Sequence, residues 1–288
     1  MDVVNQWQQL FATCPTRLLG LSAWLMMMMA LMVPLERRWP LHAQATFRRG
    51  FADDLAYFFL GGIVPAFIVV AFASLAQWMH RHGPDGFYVW LGALPFTLRV
   101  MLTLVIGEIV YYWAHRWSHE VPFLWRFHAI HHSPDTLDWL VNTRAHPLDL
   151  AFSRSLVAVV LILLGLAEGA SGDLAAVLAL VIIFNTSWGF FIHSNLRVRL
   201  GPLEQMITTP AFHHWHHSKD GEEYANKNYA ALFPWIDRLF GTYYLPEARY
   251  PRRYGIDMPM PADLSGQLLL PLRPGATERS SFERPCAK

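Results

Sequence analysis

The stretch from Leu55 to Met79 carries no charged side chain, and this one run limits what the chain can become. About 20 consecutive apolar residues is the length at which an α-helix crosses the hydrocarbon layer of a bilayer. A second run, Leu18 to Leu35, is also long enough. A cleaved signal peptide is the competing reading, but beyond Arg17 no basic stretch precedes the run and no small-x-small cleavage site follows it. In the third apolar region Arg99 interrupts. Phe87 to Leu98 therefore reads as an interfacial or re-entrant piece and Val100 to Ala114 as a span. Ser155 to Ala167 and Leu174 to Ile192, joined by a short link, read as a helical hairpin. The first of that pair is short unless Arg154 snorkels to the interface. The chain is 16% charged, against about 25% for soluble domains. The expected fold is all-α and integral to a membrane, with a bundle of about four to five transmembrane helices.

Composition also excludes. A net charge of +1 with no basic block speaks against a nucleic-acid partner. Cys14 and Cys286 stand near opposite ends and offer neither a disulfide framework nor a CxxC pair. A metal site here has to be built from histidine and carboxylate.

Histidine is what the polar segments supply. His115-x3-His119 is followed by His128-x2-His131-His132, and far downstream come His213, His216 and His217 within HHWHH. Residues three and four apart share a helix face, and neutral imidazole is the commonest metal ligand. A helix beginning near Pro122 and ending before Pro134 places His128, His131 and His132 on one face. Thr209 as cap with Pro210 in the first turn does the same for the last cluster and turns His214 elsewhere. Upstream, Glu108 and Tyr112 continue the His115–His119 stripe into the membrane helix, as candidates for a catalytic role. An ionisable group in a span is a functional candidate, and Glu108 can orient His115 or a metal-bound water, or equally pair with Arg99 or a backbone group. Imidazole without thiolate suits Fe, Zn, Cu or Ni. Eight such histidines exceed one ion, so two ions is the economical answer, and no bridging carboxylate of the dizinc kind lies within the clusters. Spacing does not identify the metal.

The expected topology brings every cluster to one membrane face. That face also holds Arg37, Arg38, Arg48, Arg49, Arg116, Arg126, Arg144, Arg197 and Arg199, against little beyond Arg81 on the other. The positive-inside rule makes it cytoplasmic, giving a helical, histidine-rich cap on the cytoplasmic side of an inner or cell membrane.

In order, HRWSH, HAIHH and HHWHH read as HX3H, HX2HH and HX2HH. With YYWAHRWSHE, FHAIHHSPD, NTRAHP, FIHSN and KNYAALFPWIDRLFGTY they resemble the fatty acid hydroxylase and sterol desaturase superfamily of membrane di-iron enzymes, over roughly Ile106 to Tyr244. The resemblance implies N-terminal membrane helices over 1–105, a catalytic domain over 106–245 that includes the hairpin 155–192, and a partly disordered extension over 246–288. It implies His115, His119, His128, His131, His132, His213, His216 and His217 as ligands, joined by His193 of FIHSN. Some members carry a further histidine four residues on. Here that position is Arg197, which leaves water, Asn195 or His146 as substitutes. His146 matches a recurrent His-Pro and reads as supporting rather than ligating; His214 reads as a bystander.

The implied cofactors are two iron ions, with O2 as co-substrate. The implied reaction is hydroxylation or desaturation of a C–H bond in a lipid, such as a fatty acyl chain, sterol or ether lipid, reached from the bilayer. No haem, flavin or nucleotide fingerprint occurs, so electrons come from a separate partner of the ferredoxin or cytochrome b5 kind. Part of the pattern also resembles the alkylglycerol monooxygenases, a branch that uses a pterin. The alternatives from other classes are a membrane metal-binding or transport protein, which would place ligands along a path through several spans, and a non-catalytic lipid-binding relative.

Overall fold

In the computed structural model the regular elements are helices, and the structure describes residues 3–166, 173–221, 224–246 and 249–273. The elements run α1 (Val3–Ala12), α2 (Cys14–Arg38), α3 (Phe51–His80), α4 (Asp85–Gly92), α5 (Phe96–Glu120), α6 (Pro122–His128), a 3-10 turn over Trp139–Thr143, α7 (Pro147–Leu163), α8 (Asp173–His193), a 3-10 turn over Gly201–Gln205, α9 (Pro210–His216), α10 (Pro234–Leu239) and α11 (Leu264–Leu269). Among the described residues there is no strand, only two isolated bridges, Pro40 with Leu196 and Ser218 with Tyr254.

Helices α2, α3 and α5 are each long and apolar enough to cross a membrane, and only 17% of each apolar window is buried inside the protein. Met26, Met27 and Leu31 on α2, Phe72 and Leu75 on α3, and Met101 on α5 all face outward. Water does not tolerate an apolar belt of that extent; lipid does. Apolar α7 and α8 complete the bundle, α7 packed between α3 and α5. The expected four to five spans thus resolve into three long candidates and this pair.

Three points differ from the sequence reading. Arg99 does not break the third span, because α5 begins at Phe96 and carries Arg99 in its first turn, while Phe87 belongs to the separate short α4. Helix α1 has no counterpart in the sequence reading. It lies against α3, with the Trp7 indole N–H donating to the Phe67 carbonyl at 3.0 Å and the Phe11 and Phe67 rings 4.7 Å apart. Nor does the helix from Pro122 reach Pro134: α6 ends at His128. The expected disordered tail falls largely on residues 274–288, and the hairpin link largely on 167–172, both outside the described residues.

The cap is fastened to the bundle by a buried ionic knot. Asp54, fully buried in the first turns of α3, takes Arg48 at 2.6 Å and also Arg144. Arg48 reaches Asp138 at 2.7 Å, and Asp138 caps the 3-10 turn by accepting from the Leu140 and Val141 N–H groups. Gly50 precedes α3 with φ +83°, and its carbonyl accepts from Arg144 at 2.9 Å. A Cβ there would collide with that guanidinium, so the knot requires glycine on both counts. The loop 133–146 is thereby held against α3, and the histidine positions follow from it.

Asp54→Ala should lower unfolding stability in detergent by about 3–5 kcal/mol, since it strips the buried Arg144 guanidinium of its ion pair and Arg48 of one of its two. Asp135→Ala, at an exposed position in the same loop, should change it by less than about 0.5 kcal/mol. Chemical denaturation followed by tryptophan fluorescence reads both.

Candidate metal centre

Helix α5 emerges from the apolar layer with His115 and His119 in its last two turns, and α8 ends on His193. Pro122 starts α6 and Pro210 starts α9, where Thr209 Oγ1 accepts from the Phe212 N–H at 3.4 Å. These four ends meet. Nine histidines form two nests: His115, His119, His128, His132 and His216 in one, and His131, His193, His213 and His217 in the other. Within each nest the ligand-capable nitrogens all lie within 4.8 Å of one another. Two ligands at about 2.1 Å on opposite sides of an ion stand about 4.2 Å apart, so each nest has the size of one ion.

The boxes interleave. His128 and His132 join the first nest while His131 joins the second; His213 and His217 join the second while His216 joins the first. Each i, i+4 pair stays together and each i+3 residue crosses over. The side expected to carry His128, His131 and His132 divides between the two nests. Beyond His128 the chain tightens, with the His131 N–H on the His128 carbonyl at 2.9 Å. About the helix axis the i+4 residue lies about 40° to one side of residue i and the i+3 residue about 60° to the other, so His132 stays with His128 and His131 turns to the second nest.

The outer nitrogen of the rings is engaged elsewhere. Nδ1 of His115 contacts the Tyr229 carbonyl at 2.7 Å, His131 that of Arg144 at 3.0 Å, His193 that of Gly189 at 2.7 Å and His216 that of Lys227 at 2.8 Å. His128 Nδ1 meets the Asp149 carboxylate at 2.8 Å. Carbonyl and carboxylate oxygens only accept, so in all five rings Nδ1 carries the proton and Nε2 presents a lone pair inward. Yet Nε2 of His131 and Nε2 of His193 face each other at 3.2 Å. Two acceptors at that distance repel, and a cation between them is what reconciles them. Nε2 of His115 and of His216 is buried without a hydrogen-bond partner. The donor set fits a pair of metal ions.

Burial, reinforced by the neighbouring imidazoles, pushes His131, His132, His213, His216 and His217 well below the usual histidine range. Neutral imidazole is the ligating form.

The other sequence candidates lie around the nests. The Glu108 carboxylate accepts from the Leu232 N–H at 3.0 Å, the backbone alternative raised for it, and so pins the loop of residues 229–242 against α5. The Tyr112 hydroxyl meets Thr242 Oγ1 at 2.8 Å in the same loop and receives Arg116 at 3.3 Å. Both hold the segment whose Tyr229 carbonyl orients His115. His146 caps α7, its Nδ1 accepting from the Leu148 N–H and its Nε2–H donating to the Leu268 carbonyl. Asn195 pairs with the backbone of His42 in both directions. His214 turns away from both nests, donating to the Ser194 carbonyl and accepting from Tyr254.

Sequence reasoning missed the supporting partners. Asp149 lies outside the histidine spacing, yet it stands behind His128 and also accepts from Ser118 at 3.2 Å. Its one signal is a carboxylate in the first turn of a helix beside the histidine boxes. Asp237 accepts from the N–H groups of Tyr229 and Ala230 and from Thr242, folding the 229–242 turn; burial pushes its carboxyl up to about 6. Gly189 is in close contact with Asn142, whose Oδ1 would lie 2.7 Å from an added Cβ. The carbonyl acceptors carry no residue-type signal at all.

Comparison with known proteins bears on the same residues. Residues 100–242 match the fatty acid hydroxylase family. The ornithine lipid hydroxylase of Rhizobium tropici is 35% identical over 226 residues, which is 75% of this chain and 62% of that protein. An alkylglycerol monooxygenase of Danio rerio is 33% identical over 136 residues, 47% of this chain and 28% of that one. A delta(7)-sterol 5(6)-desaturase of Gibberella zeae is 29% identical over 168 residues, 57% and 41% respectively. The chain thus spans less than two thirds of the length of each of these relatives. No solved structure matches. Both nests and all five of their Nδ1 acceptors fall inside the matched stretch, and through residues 100–242 the chain belongs to the fatty acid hydroxylase family.

Proposed function

We propose that the two nests hold two iron ions and that the protein is an O2-dependent oxidoreductase acting on a C–H bond of a membrane lipid. The observation that carries this is the contact between the Nε2 atoms of His131 and His193, both of which already give their Nδ1 protons to carbonyls. Bound iron would supply O2 activation and the oxidation of an otherwise unreactive C–H bond. The protein supplies the rest. Five outward Nδ1–H bonds fix ring orientation and keep the inner nitrogens free to ligate. The loop 229–242, pinned by Glu108 and Asp237, helps close the site from water. The apolar outer faces of α2, α3 and α5 bring the site to its substrate, the bilayer itself.

Hydroxylation is the reading favoured by the ornithine lipid hydroxylase and alkylglycerol monooxygenase relatives. Desaturation is the second, favoured by the sterol desaturase relative. The arginines beside the cap make its side cytoplasmic. Electrons come from a separate donor protein of the ferredoxin or cytochrome b5 kind, or by way of a pterin. Ligands gathered at one end of the bundle do not form a transport path, and so argue against a metal carrier.

Full-length protein from iron-replete cells should carry two iron ions per chain, with His217→Ala retaining the five-histidine site only. Lipid extracts of expressing cells should show, only under O2, a lipid heavier by one oxygen or lighter by two hydrogens, absent with His131→Ala. Iron-free protein, or a lipid profile unchanged by expression, would sink the reading. Asp149→Ala should weaken metal retention roughly 10–100-fold in a chelator titration while the chain stays folded. Glu108→Gln, whose amide oxygen still accepts from Leu232, should match wild type in stability. Glu108→Ala should lose about 1–3 kcal/mol. Lost turnover in a stable Glu108→Gln would instead assign Glu108 a role in the chemistry.

A further inference from the structure

Arg197, a departure from the family's histidine pattern, finds a place in the fold outside the metal centre. At the histidine-side ends of α2 and α8 lies a groove of about 460 Å³. Its floor is Leu35, Phe191 and Leu196, and its rim is Trp39, Arg197 and Arg199. The backbone around it is locked: Pro40 bridges Leu196, the Arg197 N–H donates to the Trp39 carbonyl at 3.2 Å, and the Leu41 N–H to that of Asn195 at 2.9 Å.

The charges on the rim are unequal. Arg199 is taken by Glu204 at 2.9 Å. Glu36 is turned inward, accepting from the N–H groups of Trp139 and Asn195. Arg38 lies over the Trp39 ring at 5.3 Å. Among the described residues the exposed Arg197 guanidinium makes no ion pair and no side-chain hydrogen bond. The rim therefore keeps a net positive charge at the level where lipid headgroups sit. Below it run two outward apolar stripes. Met27 and Leu31 lead along α2 to Leu35, and Phe184 stacks on Trp188 at 5.5 Å, which meets Phe191 at 4.9 Å, along α8. Basic pockets between membrane helices are a recurring seat for anionic headgroups, and aromatic rings collect at that depth.

We propose that this groove seats one anionic phospholipid, its phosphate on Arg197 and an acyl chain in the trough between α2 and α8. The site rests on the placement of the chain in a bilayer and not on the chemistry at the histidines. Charge complementarity selects the headgroup, and the trough selects a lipid over a soluble phosphate.

The test is native mass spectrometry of the full chain in uncharged detergent, with phosphatidylglycerol, phosphatidylcholine or glycerol phosphate added. Wild type should hold one phosphatidylglycerol through delipidation about fivefold more than phosphatidylcholine, and no glycerol phosphate. Arg197→Gln should remove that preference and Arg197→Lys should keep it. Leu35→Trp should fill the groove and release the lipid with Arg197 intact. Arg81→Gln, beyond the far end of α3, should change nothing. Equal retention of the two lipids, retention of glycerol phosphate, or undiminished phosphatidylglycerol binding by Arg197→Gln or by Leu35→Trp would each overturn the proposal.

Discussion

The organisation of the cap depends on one electrostatic fact. Buried imidazoles give their outer protons away and point their inner lone pairs at one another. A carbonyl or carboxylate behind each of five rings makes the outward bond, from Tyr229, Arg144, Gly189, Lys227 and Asp149. Left to itself such a nest is repulsive, and protonating it is costly because burial opposes charge. A pair of cations would turn the repulsion into attraction. Metal binding would then contribute to the folded state of the cap, as in other proteins whose ligands converge only on folding.

The rest of the structure supplies the stiffness that this arrangement requires. The acceptors come from widely separated segments, so each segment has to be held. Arg144 illustrates the economy: its side chain enters the Asp54 knot and its carbonyl orients His131. Asn228 works in the same way. It sits at φ 60°, and its amide donates to the carbonyls of Phe212 and Tyr244, fixing the strand of chain whose neighbours Lys227 and Tyr229 face His216 and His115. Glu108 ties that segment to the membrane helix from below. A buried carboxylate in a span thus acts as an anchor for backbone.

Much of this was legible in the sequence, and the limits have physical causes. Charge-free runs located the long helices because lipid penalises charge regardless of tertiary detail. The spacing of the histidines marked them out because ligation needs a shared helical face, and Pro122 and Pro210 located the starts of the helices that carry them. What spacing could not convey was the end of α6, set by a tightened turn after His128. Arg99 misled because a guanidinium in the first turn of a span can reach the interface, so a charge in the sequence did not mean a break in the helix. Helix α1 escaped because its apolar residues are too few to mark a span and it gains its place by packing on α3. The carbonyl acceptors were invisible in principle, since every residue has one.

The interleaving follows from helix geometry. On an α-helix the i+4 residue lies about 40° to one side of residue i and the i+3 residue about 60° to the other. A helix end facing two ions set side by side therefore sends an i, i+4 pair to one and the i+3 residue to the other. His128, His132 and His131 divide this way, and so do His213, His217 and His216. The spacing HX2HH is what a helix end needs to serve two ions at once, whereas HX3H, with no i+3 member, serves one. The first nest thus draws on HX3H and both HX2HH boxes, and the second completes itself with His193 from the end of α8. Because two helix ends contribute to both nests, a rigid displacement of α6 or α9 disturbs the pair together, and the two metal positions are mechanically a single site.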